Sequence, residues 1–112
     1  MEKLIIVDNN IKYEIYPHDL GYGNGTIDGI MSWHYAMESC KRLGDGWRLP
    51  TKDELYLLYK KKENLGIVPL HGYWSSSEVD KDHAHYQYFF TGVQYVFDKS
   101  FPSFARPIRI LI

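Results

Sequence analysis

Cysteine is nearly absent from this sequence: Cys40 is the one thiol in 112 residues. An internal disulfide needs a pair of thiols and a cysteine-based zinc cluster needs several, so both are excluded within one chain. Long apolar runs are missing as well. Leu4-Ile5-Ile6-Val7 stops at Asp8 after four apolar residues, whereas a secretory core needs about seven to fifteen and a membrane helix about eighteen or more. The expectation is a chain with no signal peptide and no membrane insertion, cytoplasmic when made. An excess of charge of one sign is also lacking. The 13 Lys+Arg and 14 Asp+Glu leave a formal net charge of −1, which gives no electrostatic footprint for nucleic acid or an anionic membrane. No repeat, linker or low-complexity tract divides the chain, and residues 1–112 are expected to form a single domain.

What the sequence does have is aromatic surface, dominated by tyrosine. Ten Tyr, five Phe and three Trp make up 16% of the chain. The hydrophobic share of 45% and charged share of 24% are ordinary for a globular protein and argue against disorder.

The hydrophobic pattern predicts strand, strand, helix, helix and then strands to the end. Leu4–Val7 is a short apolar run followed by turn residues Asp8-Asn9-Asn10. Ile11–Tyr16 alternates, with Ile11, Tyr13 and Ile15 on one face and Lys12, Glu14 and Tyr16 on the other. Gly21-Tyr22-Gly23-Asn24-Gly25 is too glycine-rich for regular structure. Ser32 is positioned as an N-cap, and Trp33, Ala36, Met37, Cys40 and Leu43 follow at helical spacing until Gly44 and Gly46. Thr51-Lys52-Asp53-Glu54 is a capping box opening a second helix, with Leu55, Leu58 and Tyr59 toward the core and Lys60-Lys61-Lys62 in its last turn. Tyr73-Trp74 leads into Ser75-Ser76-Ser77. His83–Phe90 then alternates, with Ala84, Tyr86, Tyr88 and Phe90 opposite His83, His85, Gln87 and Phe89. Thr91-Gly92 is a hairpin turn before Val93–Phe97. Asp98–Ser103 is a polar loop, and Ala105–Ile112 is expected as the closing strand, with Pro107 where no ladder donor is needed.

Three blocks of this sequence occur in a recognisable order. They are Trp47-Arg48-Leu49-Pro50-Thr51-Lys52-Asp53-Glu54-Leu55, Gly72-Tyr73-Trp74-Ser75-Ser76-Ser77-Glu78 and Ala105-Arg106-Pro107-Ile108-Arg109. The chain resembles the domain of unknown function 1566, also called the Lcl C-terminal domain family, through these blocks. Trp33, Ala36 and Cys40 resemble that family's preceding helix, so the likeness covers roughly residues 30–112. The resemblance implies an α+β, C-type-lectin-like fold related to the formylglycine-generating enzymes. In that fold two helices pack on a small twisted antiparallel sheet with long loops, and the N- and C-terminal strands pair. It further implies a binding or display role of the kind found in bacterial surface proteins, adhesins and phage-encoded proteins, with no general catalytic activity. The shared residues Trp47, Arg48, Leu49, Pro50, Thr51, Glu54, Trp74, Ser75, Arg106 and Arg109 then act as fold determinants. Trp47 and Trp74 anchor loops, Pro50 and Leu55 form a staple, and the arginines hold carbonyls or carboxylates such as Glu54 or Glu78.

Catalysis is weakly signed. The formylglycine generators use two cysteines, whereas Cys40 lies alone on an apolar helical stripe. Ser75–Ser77, His71 and Asp80 could compose a Ser-His-Asp set, but no nucleophile elbow surrounds the serines. His83 and His85 share a strand face behind Asp80 and Asp82, yet two imidazoles need further ligands, from His71 or Asp98. The Glu-Pro-Asn or Gln-Pro-Asp words of calcium-dependent lectins are absent. No enzyme activity, metal or cofactor is expected, with a metal- or oxygen-dependent enzyme as the minor alternative.

The strongest functional sign is the hairpin around residues 83–97. Tyr86, Tyr88 and Tyr95, with Gln87, His83 and His85, make a binding surface of rigid amphipathic rings suited to a protein or a sugar face. The expectation is a non-enzymatic recognition or display module, phage- or mobile-element-encoded and virion- or surface-associated within a larger assembly, and a homo-oligomer. A structural decoration subunit, in which the same face is a subunit contact, is the alternative.

Overall fold

The computed structural model describes residues 3–20, 29–65, 67 and 71–111. The glycine-rich Gly21–Gly25 segment, expected to be a loop, lies outside them. Strands β1 (Leu4–Asp8) and β2 (Ile11–Ile15) form an antiparallel hairpin with Leu4 opposite Ile15 and Asp8 opposite Ile11. The turn between them holds Asn9 and Asn10 at φ 49° and 65°. Asparagine tolerates this left-handed geometry, which matches the twist of the flanking strands.

Helix α1 (Trp33–Arg42) buries Trp33, Ala36 and Cys40, with Met37 and Leu43 packed against the same cluster. Ser32 occupies the N-cap position, but its hydroxyl makes no cap bond. Gly44 and Gly46, at φ 71° and 85°, end the segment where side chains with a Cβ are strained. Helix α2 (Lys52–Lys60) opens with the expected capping box. The Glu54 amide donates to Thr51 Oγ1 at 3.2 Å and the Thr51 amide donates to Glu54 Oε1 at 2.8 Å. Leu55 and Leu58 are buried as expected, and Leu57 joins them.

The helix ends earlier than the lysine run suggested. Lys61 is its C-cap, and Lys62 begins a short α3 (Lys62–Leu65). The Lys62 ammonium sits 4.2 Å from the centre of the Tyr59 ring, which draws the side chain back over the preceding turn.

Strands β3 (Gly72–Glu78), β4 (His83–Tyr88) and β5 (Gln94–Asp98) form one antiparallel sheet in that order; β1, β2 and β6 (Ile108–Leu111) form another. The fold is therefore α+β with two three-stranded sheets where one was expected. The strands at the two ends of the chain share a sheet, with β2 between them, so β1 and β6 occupy opposite edges. β6 is shorter than the expected Ala105–Ile112. Pro107 precedes it, donates nothing, and offers its carbonyl to the Tyr16 amide at 2.9 Å. Isolated bridges Met31–Ser103, Arg48–Ile108 and Tyr73–Phe104 stitch the pieces together.

Two apolar clusters fill the interior. One sets Ile6, Tyr13, Ile15 and Ile108 of the first sheet against Leu55 and Leu58 of α2, with Tyr73 and Phe89. The other sets Trp33, Ala36 and Cys40 of α1 against Leu49, Trp74, Ala84 and Ala105. The β3–β4–β5 sheet carries residues of both clusters, and its far edge, β5, has β4 as its one strand partner among the described residues.

Candidate functional site: an aromatic sheet edge

Exposure rises across the second sheet. Gly72–Ser75 of β3 are buried, β4 buries Ala84 and Gln87 and leaves its other residues half-buried, and β5 is exposed at every position except Phe97. Register pairs Tyr86 with Tyr95 and Ala84 with Phe97, so all four lie on one face. Phe97 is the hub. Its ring lies 4.5 Å from Tyr86, 4.6 Å from Phe101 and 5.8 Å from Tyr95, stacked nearly parallel on the last. Tyr95 is 42% exposed and Phe101 46%, while Tyr86 leans inward on Trp74.

Two glycines permit close ring contacts, Gly72 beside Tyr86 of this row and Gly92 beside Tyr59 of α2. A Cβ at Gly72 would overlap the Tyr86 hydroxyl, and Gly92, at φ 80°, sits against the Tyr59 ring where a Cβ would come within 2.5 Å. Burial, and then the neighbouring Tyr88 and Tyr95, raise the Tyr86 phenol above its ordinary pKa.

Among the residues expected at the surface, Tyr95 is exposed and Tyr86, Tyr88, His83 and His85 are half-buried. Gln87 is a correction: it is fully buried. Helix α2 packs over that end of β4, while farther along the same face His83 and His85 are half-buried and Val96 and Asp98 are exposed; the Gln94 side-chain amide donates to the Lys52 carbonyl at 2.8 Å. Strand alternation reported the face correctly but not what covers it. Phe97 and Phe101 were missed as site residues. Phe97 follows Tyr95 at i+2, a readable signal, whereas Phe101 lies in a loop that its polar neighbours disguise.

The Ser-His-Asp combination is not assembled. His71 Nδ1 faces Asp19 Oδ2 at 3.0 Å, Asp80 pairs with His83 at 2.8 Å, and the Ser75 hydroxyl donates to the His85 carbonyl at 2.8 Å. Asp19 is the centre of a buried polar group. Its Oδ1 accepts from the Tyr73 hydroxyl at 2.8 Å and from Arg106 at 2.9 Å. Burial, then the charge of Asp19, pushes the Tyr73 phenol far up, so it stays a donor. Burial alone pushes the Cys40 thiol up to about 12, leaving it protonated and unreactive at neutral pH. Among the described residues no three His, Cys, Asp or Glu side chains are grouped to hold a metal.

A shallow cleft of about 320 Å³ opens where α1 begins, lined by Ser32, His34, Lys81, Asp82, Asp98, Lys99 and Ser100. Lys99 is itself buried. Its ammonium bonds Glu78 at 2.7 Å and the Lys81 carbonyl at 2.9 Å, over the Trp33 ring at 4.3 Å. That side chain closes the floor of the cleft.

The residues of the three sequence blocks are joined to one another or to the amino-terminal half. Arg48 grips Glu54 with two parallel bonds of 2.7 and 2.9 Å. Arg106 Nε donates to the Tyr16 carbonyl at 2.7 Å. Arg109 bonds Glu14 at 2.9 Å and lies 4.6 Å over Trp47. Trp74 Nε1 donates to the Met31 carbonyl at 3.0 Å and Trp33 Nε1 to that of Ser75 at 2.8 Å.

The serines interrupt the β3–β4 ladder, whose register shifts between Trp74 and Glu78. They bond instead to the start of α2. The Ser76 amide donates to the Pro50 carbonyl at 2.7 Å, and Ser77 Oγ accepts from the Lys52 amide at 2.9 Å. Leu49, Pro50 and Trp74 are fully buried. No curated protein matches the chain. With these motifs in place, and with residues 13–109 matching the family described as the Lcl C-terminal domain, the chain belongs to that family.

Proposed function

We propose that this chain is a non-enzymatic recognition module that presents the Tyr86–Tyr95–Phe97–Phe101 face and the β5 edge to a protein or glycan surface, as one component of a larger virion- or surface-associated assembly. The observation carrying this reading is the row of mutually touching rings on a terminal strand, partly open to solvent. Rings braced by one another lose little freedom on binding, and each phenol adds a hydrogen-bonding tip to an apolar face.

The scaffold reading is C-type-lectin-like. It is supported by the terminal strands sharing one sheet, both main helices lying between them in sequence, and the second sheet being inserted before β6. A binding role is favoured over a reaction because the thiol, the first β3 serine and the His71 of the candidate catalytic set are engaged in holding the fold. Cys40 is a buried thiol, Ser75 is bonded to backbone, and His71 is bonded to Asp19.

The test is a panel of immobilised glycans and bacterial or virion surface proteins, probed with the wild-type chain and with Tyr95→Ala/Phe101→Ala. The expected result is retention of at least one panel member by wild type and a drop of at least tenfold for the variant, with circular dichroism unchanged. Equal retention by both would overturn the reading, as would a strictly monomeric wild-type protein that binds no panel member. The alternative role, a structural subunit, is favoured if the same variant loses self-association but keeps ligand.

A further inference from the structure

Strand β5 has an outward row of backbone groups whose spacing can be read from its inner partner. The Tyr88 amide donates to the Val93 carbonyl and the Lys99 amide to the Asp82 carbonyl, at 3.0 and 2.8 Å. Antiparallel pairs alternate between exchanging hydrogen bonds and not doing so. By that alternation and the observed register, Val93, Tyr95 and Phe97 turn their backbone groups toward β4, while Gln94, Val96 and Asp98 turn theirs away. The Asp98 carbonyl is taken by the Phe101 amide at 2.9 Å. The other outward groups of this row have no strand beyond them among the described residues.

Along Gln94–Phe97 the side chains give this edge no protecting charge, and the one charge on β5 is Asp98 at its end. Val96 is 48% exposed, and Gln94–Phe97 contains no proline, lysine or other charge. Such an edge is a template for one more antiparallel strand.

We infer that the occupant is β5 of a second copy, joined about a two-fold axis through Val96 to continue the sheet across both molecules. This rests on the aromatic-edge reading above and specifies what the edge takes. Val96 is the middle residue of β5, so an axis there pairs the most strand, and the charge pattern agrees with that register. With Val96 opposite Val96 of the partner subunit, the carboxylate of Asp98 lies beside the neutral Gln94 of the partner subunit, and no like charges meet. A two-fold centred on Asp98 would instead set two carboxylates face to face, which is destabilising in a sheet.

The same register places Tyr95 directly against Phe97 of the partner subunit, on the face where those rings already stack within one strand at 5.8 Å. That position is a close, non-hydrogen-bonded pair between the copies, where aromatic side chains interact best. β5 is already extended in the monomer, so pairing needs no ordering of a flexible segment. The contact is isologous and closes at two subunits.

The experiment is sedimentation of the full chain over a concentration series, with three variants. Wild type is expected at twice the 13.2 kDa chain mass in the upper micromolar range. Val96→Lys sets two lysine side chains on Cα atoms about 5.5 Å apart across the axis; it is expected to raise the dimer dissociation constant at least tenfold, with the thermal transition retained. Val96→Cys is expected to form a covalent dimer on mild oxidation. Gln94→Cys is expected not to, since its two copies would stand about 14 Å apart at ~3.4 Å rise per residue.

A monomeric wild type, a dimer untouched by Val96→Lys, or equal cross-linking by both cysteines overturns the inference. A monomer that still binds panel members through Tyr95 and Phe101 would remove the dimer and leave the recognition reading intact. A monomer that binds none removes both.

Discussion

The two sheets have the same number of strands, and both have open edges, but they bury their strands in a different order. In the first, β2 is central and closed on both sides. Tyr13 and Ile15 face the core, and on the other face Glu14 is buried beneath Arg109. In the second, burial declines strand by strand until β5 keeps only Phe97 half-covered. The first sheet and the motif residues around it spend their charged side chains on one another: Arg48 with Glu54, Arg106 with Asp19, Arg109 with Glu14. The far edge of the second uses rings instead of charges. Charged pairs with fixed geometry hold the ends of a short chain together, whereas an open aromatic edge contributes little to folding and is free to make contact. The family motif therefore marks the scaffold, and the surface to be tested lies beyond it.

The largest effect that could break this division is at Trp74. Its side chain is fully buried and its Nε1 is bonded to Met31. Trp74→Ala is expected to cost about 3–5 kcal/mol in urea denaturation. Tyr95→Ala is expected to stay within about 1 kcal/mol, as for an exposed residue away from buried networks. Similar losses at the two positions would erase the contrast.

Next in size is Arg106→Met, which leaves Asp19 buried with Tyr73 and His71 but without its cation. Removing one partner of a buried pair costs about 3–5 kcal/mol, and the two remaining donors should hold the loss near the lower end of that range. Asp19→Asn in the same background should recover part of it, because the stranded charge is gone. A double-mutant cycle giving no coupling would show that the pair is not a unit.

The capping box was legible because it is local: Thr51 and Glu54 satisfy each other within one turn. The stripe of α1, the first hairpin and the Thr91-Gly92 turn were legible for the same reason. The split into two sheets was not, since it depends on β6 pairing with β2 from the other half of the chain; nor was the bulge in β3, where Ser76 and Ser77 bond to Pro50 and Lys52, 26 and 25 residues away. Asp19 gave no sign either. Its partners His71, Tyr73 and Arg106 are 52, 54 and 87 residues distant, and no spacing rule reaches so far. Gln87 followed its strand's alternation, but α2 lies over that end of the face, which strand periodicity does not report. The early end of α2 escaped because lysine favours a helix at Lys60, Lys61 and Lys62 alike.

A smaller effect is expected in acid. Burial pushes the Glu54 carboxyl up, but the Arg48 guanidinium and the Thr51 amide outweigh it and hold the pKa below the ordinary value. A depressed carboxylate stabilises the fold fully above its unfolded pKa of about 4.3, and that contribution is lost as pH falls through the lower folded value. Arg48 is partly exposed, so the pair contributes on the order of 1 kcal/mol. Glu54→Gln should therefore flatten part of the acid limb of a stability-versus-pH curve. Thr51→Ala should cost about 1 kcal/mol at every pH, from the lost cap.

The smallest effect belongs to Asp80 and His83, which pair in the open beside the β3–β4 turn. The hydrogen bond between them lowers the Asp80 carboxyl and raises the His83 imidazole, and Asp98 and Asp82 add to the latter. The pair is charged on both sides between the depressed carboxyl value and the raised imidazole value. By linkage, any stability it gives is full below the unfolded imidazole pKa of about 6.5, down to where Asp80 protonates, and is lost as pH rises through the raised folded value. Both groups are exposed to solvent, so the thermal midpoint should not move measurably between pH 5.5 and 8.5 on this account. The imidazole resonances should nevertheless report the contact. His83 is expected to titrate above the ordinary value in wild type and to fall back toward it in Asp80→Asn. If instead the midpoint dropped sharply over that range and Asp80→Asn abolished the drop, this exposed turn would be holding the second sheet as the arginine pairs hold the first, and the two regions would not differ as argued.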